Sequence, residues 1–136
     1  MLEEFLVKLC KNLKIEPIPK ENEEKIFIFP ILENITLYLQ DLDPGFYLWA
    51  PICPCPPKEK EDLFIHLMKA NLLGQGTGGA VISLDEDEKF LTLSITIAYV
   101  INYNQFKEQI EDFVNYLNYW RNEIDEIIKK QQKSII

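Results

Sequence analysis

The sequence predicts an α+β fold: one antiparallel sheet with three helices, in the order α-β-β-β-α-β-β-α. Three observations predict it. Three segments repeat their apolar residues at spacings of three and four, the helical period. Five others alternate or run apolar over a short length, as strands do. Clusters of proline, glycine, asparagine and aspartate separate most of them, and these residues make turns.

Residues 1–14 predict the first helix. Leu2, Phe5, Leu6, Leu9 and Leu13 share a stripe, and Glu3 and Glu4 suit the positive end of the helix dipole. Pro17 and Pro19 end the pattern. Residues 20–25 are charged and read as a solvated loop. Ile26 to Phe29 predicts a short strand, stopped by Pro30. In the second strand Ile35, Leu37 and Leu39 point one way, and Thr36, Tyr38 and Gln40 the other. Asp43-Pro44-Gly45 is a turn: proline presets its backbone angle and glycine accepts a positive one. The third strand, Phe46 to Ile52, sets Phe46, Leu48, Ala50 and Ile52 against Tyr47 and Trp49.

Pro54, Pro56 and Pro57 close that sheet segment. The second helix is expected from about Lys58 to Leu73, with Glu59, Glu61 and Asp62 in its first turn. Leu63, Leu67, Ala70 and Leu73 form its stripe, and Phe64 and Met68 widen it. A helix so broadly apolar has more than one neighbour to satisfy. Four of the five glycines follow, within Gly74 to Gly79. Strands are expected over 80–84 and 89–99, with an acidic turn between them. The last helix starts near Asn102 or Asn104, both good caps, and is carried to about residue 129 by Phe106, Ile110, Phe113, Leu117, Trp120, Ile124 and Ile127. The tail from Gln131 to Ile136 is expected to fray.

A length of 136 residues with no repeat and no linker predicts one domain, 1–136. The net charge is −8. Such a surface repels nucleic-acid phosphate and anionic lipid headgroups and favours basic partners. The amino terminus lacks the marks of a signal peptide, and no apolar run approaches the ~20 residues of a membrane span. A cytoplasmic location is expected, with Cys10, Cys53 and Cys55 reduced.

The motifs that suggest chemistry fail on context. Gly74, Gly76 and Gly79 match the spacing of a dinucleotide-binding loop. That loop follows a strand and opens a helix, whereas here a helix precedes and a strand follows. Cys53 and Cys55, with Cys10 and His66, could supply four zinc ligands, but one intervening residue is not the usual spacing. The carboxylates Asp85 to Glu88 sit in an exposed turn. No catalytic, cofactor-binding or metal-binding residue is assigned, and the chain is read as a binding protein rather than an enzyme.

Apolar surface is the positive signal. Ile26 to Phe29 is apolar on both faces, and Tyr47 and Trp49 sit opposite Leu48. One sheet and three helices cannot easily cover all of it, so a partner site is expected on the first helix and first two strands. Phe5, Leu9, Ile26, Ile28, Leu37 and Leu39 are its best candidates; the plainer reading makes at least half of them core.

The stretch Leu67-Met68-Lys69-Ala70-Asn71-Leu72-Leu73-Gly74-Gln75-Gly76-Thr77-Gly78-Gly79-Ala80 resembles the signature of class I chaperones of bacterial type III secretion, the Tir chaperone (CesT/SycE) type. Leu91-Thr92-Leu93-Ser94 resembles that family's fifth strand, and Phe113-Val114-Asn115 with Trp120-Arg121 its last helix. The resemblance covers nearly the whole chain; the Pro-Cys-Pro-Cys-Pro-Pro stretch departs from it. It implies a bacterial cytoplasmic virulence factor that acts without nucleotide or other cofactor. The implied partners are a second copy or a similar chain, a secreted effector protein and the type III secretion apparatus. The effector's amino-terminal segment would bind in extended form through Leu2, Phe5, Leu6, Leu9, Ile26, Ile28, Ile35, Leu37 and Leu39. The dimer would form through Trp49, Phe64, Leu67, Met68, Asn71 and Leu72. A dimeric scaffold or regulator, with half of a heterodimer as one form of it, is the competing reading, and a small thiol or metal enzyme the third.

Overall fold

A computed structural model describes residues 1–134. Its helices are α1 (Leu2–Leu13), α2 (Glu61–Asn71) and α3 (Tyr103–Ser134), and its strands β1 (Ile26–Leu32), β2 (Ile35–Asp41), β3 (Phe46–Pro54), β4 (Val81–Leu84) and β5 (Phe90–Ile97). The order α-β-β-β-α-β-β-α stands as predicted, and the five strands form one antiparallel sheet ordered β1-β2-β3-β5-β4. The chain divides into two compact units: Met1–Ala50 with Ser94–Glu111, and Pro51–Leu93 with the chain from Asp112 onward.

In the first unit α1 buries Leu2, Leu6, Leu9 and Cys10. Lys14 caps it in the left-handed conformation, its N–H returning to the carbonyls of Cys10 and Lys11. β1, β2 and β3 form a meander in which Ile28 faces Tyr38 and Tyr38 faces Trp49. One face of it buries Phe27, Phe29, Ile35, Leu37, Leu39, Phe46 and Leu48. Phe106 of α3 meets Phe46 edge-on at 5.2 Å and Phe5 of α1 at the same distance, so the helices cover this inner face. The β2–β3 turn places Gly45 at φ 84°, where a Cβ would stand 1.6 Å from the Ile97 carbonyl oxygen. Only glycine fits there.

β1 does not stop at Pro30. It continues to Leu32, with an irregularity between Phe29 and Leu32. β1 is an edge strand, where a residue without an N–H costs no ladder bond. Pro51 and Pro54 likewise lie inside β3, past the last β2–β3 pair, Tyr38 with Trp49.

In the second unit α2 starts later than expected. Glu59 takes φ 54°, which no helix continues, so the helix opens at Glu61 and Asp62. A 3-10 turn, Leu72–Gly74, ends it in place of a last α-helical turn. Asn71 joins α2 to β4 twice: its Nδ2 donates to the Ile82 carbonyl and its Oδ1 accepts from the Ile82 N–H, both at 2.8 Å. The glycine loop closes on itself, with Gly76 N–H donating to Ala70 O at 3.0 Å and Gly79 N–H to Gly74 O at 3.1 Å. The buried Thr77 hydroxyl donates to the Ala80 carbonyl. Those loop donors are spent internally, which removes the amide cradle a phosphate would need.

α3 has the reciprocal start the sequence offers. Gln105 N–H donates to Asn102 Oδ1 at 2.8 Å, and Asn102 N–H to Gln105 Oε1 at 2.9 Å. The helix does not end near residue 129 but runs to Ser134, and the i,i+4 pair Asp125–Lys129 at 3.0 Å supports its last turns. Of the tail expected to fray, Gln131 to Ser134 are helical, and Ile135 and Ile136 lie outside the described residues.

Candidate functional site: uncovered apolar surface

The alternation in β1–β3 sorts the candidate binding residues. Leu2, Leu6, Leu9, Ile35, Leu37 and Leu39 are at most 2% exposed. They fill the core beneath the helices and present no surface in this chain. Phe5 is half-buried against Tyr103 and Phe106. Ile26 is half-buried and Ile28 is 46% exposed.

Phe5 and Ile28 do not line one groove. Phe5 belongs to the helix layer on the inner face, whereas Ile28 alternates with the buried Phe27 and Phe29 and points outward. The outer face continues from Ile28 to Tyr38 and Trp49, whose rings stack at 5.7 Å, and to Tyr47, stacked on Trp49 at 4.9 Å. Ile26 and Gln40 complete its other row. These positions carry no charged side chain, in a chain of 26% charged residues. Tyr38 is the member the candidate list missed; its alternation with Leu37 and Leu39 is the signal that places it there.

The β1 edge is partly occupied. Glu21 bridges Phe27 in antiparallel fashion, and Asn22 N–H donates to the Ile26 carbonyl at 3.0 Å. Asn22 Oδ1 also accepts from the N–H groups of Glu24 and Ile26. The charged segment before β1 is therefore a strap on the strand's start and not only a solvated loop. Ile28 to Leu32 lies beyond it.

On α2 the expected interface residues divide as well. Met68 is 71% and Leu72 63% exposed, and Ile65 adds a third exposed apolar side chain that the sequence reading passed over. Phe64 and Asn71 are half-buried, and Leu67 is buried. Phe64, Leu67, Met68 and Asn71, with Ile82, Ser83, Leu84 and Leu91, line a groove of about 150 Å³. Trp49 belongs to the first unit's outer face described above.

Cys10 and Cys53 are poor nucleophiles. Burial pushes Cys10 up from the ordinary thiol range. Cys53 is raised by burial and by Cys55, and only partly relieved by the Arg121 guanidinium. Arg121 is tied to the end of β3: Nε donates to the Ile52 carbonyl at 3.0 Å and Nη2 to that of Pro51 at 2.9 Å. His66 has Glu123 at 3.8 Å and the Trp120 ring edge-on at 6.0 Å. Among the described residues no group of three or more histidines, cysteines or carboxylates gathers as a metal site. Nor is any described helix long and apolar enough to cross a membrane.

The first unit thus exposes an uncharged sheet face and a sheet edge, and the second an apolar helix stripe, features of the kind that bind other polypeptides. The family model of the Tir chaperone protein (CesT) family matches residues 4–121, and the chain belongs to that family, one of chaperones and not of enzymes. The chain is 23% identical over 126 residues to the Chlamydia pneumoniae protein CPj0713/CpB0740, covering 91% of this chain and 96% of that one. It shares its fold with the structure of the ExsC–ExsE complex (TM-score 0.73, 16% identity, 89% of this chain and 91% of that chain). The HopA1–SchA chaperone–effector complex gives a TM-score of 0.66 at 15% identity, over 89% and 93% of the two chains.

Proposed function

We propose that this protein is a single-domain, cytoplasmic type III secretion chaperone that binds the amino-terminal segment of an effector protein in extended form. The observation that carries the reading is the family match over residues 4–121. The HopA1–SchA neighbour, described as a chaperone–effector complex, supports it. So does the surface. An extended segment can add to β1 beyond the Glu21 bridge and exchange backbone hydrogen bonds there. Its alternate side chains then reach Ile28 and, beside it, Tyr38 on the outer face. Bound so, an aggregation-prone segment stays soluble and exportable. A second copy covers Met68, Leu72 and Ile65 on α2, since a two-fold contact uses the same patch on both subunits.

Deletion of the gene in its host tests this. A secreted protein should disappear from the medium and return with the wild-type gene but not with Ile28→Asp. That protein's amino-terminal segment should co-purify with this chain and become resistant to protease. Unchanged secretion in the deletion strain would refute the reading.

A further inference from the structure

We infer that the groove between the glycine loop and α3 is a receptor for an arginine side chain of a partner polypeptide. The groove has a volume of about 410 Å³ and is lined by Ala70, Gly76, Asn115, Tyr116, Tyr119 and Trp120. It lies wholly in the second unit. Its walls are fixed. Trp120 Nε1 donates to the Gly76 carbonyl at 2.9 Å, and Tyr119 meets Trp120 edge-on at 5.2 Å. The loop closes on Tyr116 because Gly78 has no side chain: a Cβ there would stand 2.3 Å from the ring. Tyr119 remains 54% exposed.

Charge selects the occupant. At the helical ~100° per residue, Asp112, Tyr116, Tyr119 and Glu123 fall within about 60° of one another on α3. Asp112 thus lies one helical turn before Tyr116 and Glu123 one turn after Tyr119, outside the lining itself, and Glu123 also faces His66 of α2 at 3.8 Å. Between Asp112 and Ile128 the helix carries Asp112, Glu123, Asp125 and Glu126 against a single basic residue, Arg121. That guanidinium donates to the carbonyls of Pro51 and Ile52 at the end of β3. Aromatic faces and carboxylates together suit a planar cation. Guanidinium stacks on the rings and pairs with the acids, and the net charge of −8 draws it in. Around α2, Ala70 lies about 160° from both Met68 and Leu72. A partner on the exposed apolar stripe therefore leaves the groove open, and this site stands apart from the subunit contact proposed above.

Fluorescence anisotropy on the full chain tests the inference, with a labelled peptide of three arginines spaced by glycine and an identical peptide carrying citrulline, which keeps the shape without the charge. The arginine peptide should bind about tenfold more tightly. Tyr119→Ala and Asp112→Asn should each weaken it about three- to tenfold, while Tyr119→Phe, which keeps the ring, should not. A double Asp85→Asn, Glu86→Gln variant in the β4–β5 turn controls for bulk acidity and should change binding less than about twofold. Equal binding of the citrulline peptide, equal loss in the turn variant, wild-type affinity in Tyr119→Ala, or no binding of the arginine peptide would each overturn the assignment. Since secretion is a separate readout, those results would leave the chaperone reading untouched.

Discussion

The two faces of β1–β3 are built from the same residue types and have opposite environments. Phe29, Leu37 and Leu48 on the inner face are sealed beneath the helices. Ile28, Tyr38 and Trp49, one residue away along the same strands, face outward as cross-strand neighbours, with the Tyr38 and Trp49 rings stacked. A strand places neighbours on opposite faces, so one residue of register separates core from binding surface. The difference teaches that hydrophobicity alone does not separate core from site in this fold; the position of the covering helices does.

The largest expected effect comes from breaking the inner face. Leu37→Ala should destabilise the protein by about 2–5 kcal/mol, because it leaves a cavity among buried side chains. Ile28→Ala should cost under about 1 kcal/mol, since Ile28 already meets solvent. Urea denaturation of both variants measures the contrast. Equal costs would mean that the outer face is as tightly packed as the inner one.

Much of this was legible in the sequence, for physical reasons that vary by element. β2 was read correctly because its alternation is strict and neither proline nor glycine interrupts it. The start of α3 was legible because Asn102 and Gln105 stand at the spacing a reciprocal cap requires. Pro30 misled, since the cost of a proline depends on whether its strand lies at an edge, and strand order is a tertiary property. The start of α2 misled because acidic residues favour a first turn without fixing which of them begins it; Glu59 takes a left-handed conformation instead. The candidate binding residues were legible as apolar but not as exposed. Leu37 and Ile28 look alike until the helices choose a face.

A second contrast lies within α2, between its exposed stripe and its tie to β4. Asn71→Ala removes both hydrogen bonds to Ile82 and leaves that N–H and carbonyl without their side-chain partner. The expected loss is about 2 kcal/mol in the same denaturation experiment. Met68→Glu should do the reverse. It changes a surface residue, so folding should hold, but it sets a charge into the proposed subunit contact. Light scattering should then show the mass fall from about twice 16.0 kDa to 16.0 kDa. A wild-type chain that is already monomeric at micromolar concentration would remove α2 as the subunit contact.

The smallest effect sharpens a comparison between helix starts. α1 opens at Met1 without a side-chain cap, whereas α3 opens on the reciprocal pair Asn102 and Gln105. Asn102→Ala removes the acceptor for Gln105 N–H and should cost about 1 kcal/mol. Gln105→Glu keeps an acceptor for Asn102 N–H and adds negative charge at the positive end of the helix, so it should be neutral or slightly stabilising. The loss in Asn102→Ala should be local, because Phe106 and Ile110 are buried and hold the following turns in place. Amide exchange can locate it: the Gln105 N–H should lose protection while that of Leu117, three turns on, keeps it. Equal loss at both sites would mean that the first turn nucleates the whole helix and that packing of the Phe106 turn does not hold it independently.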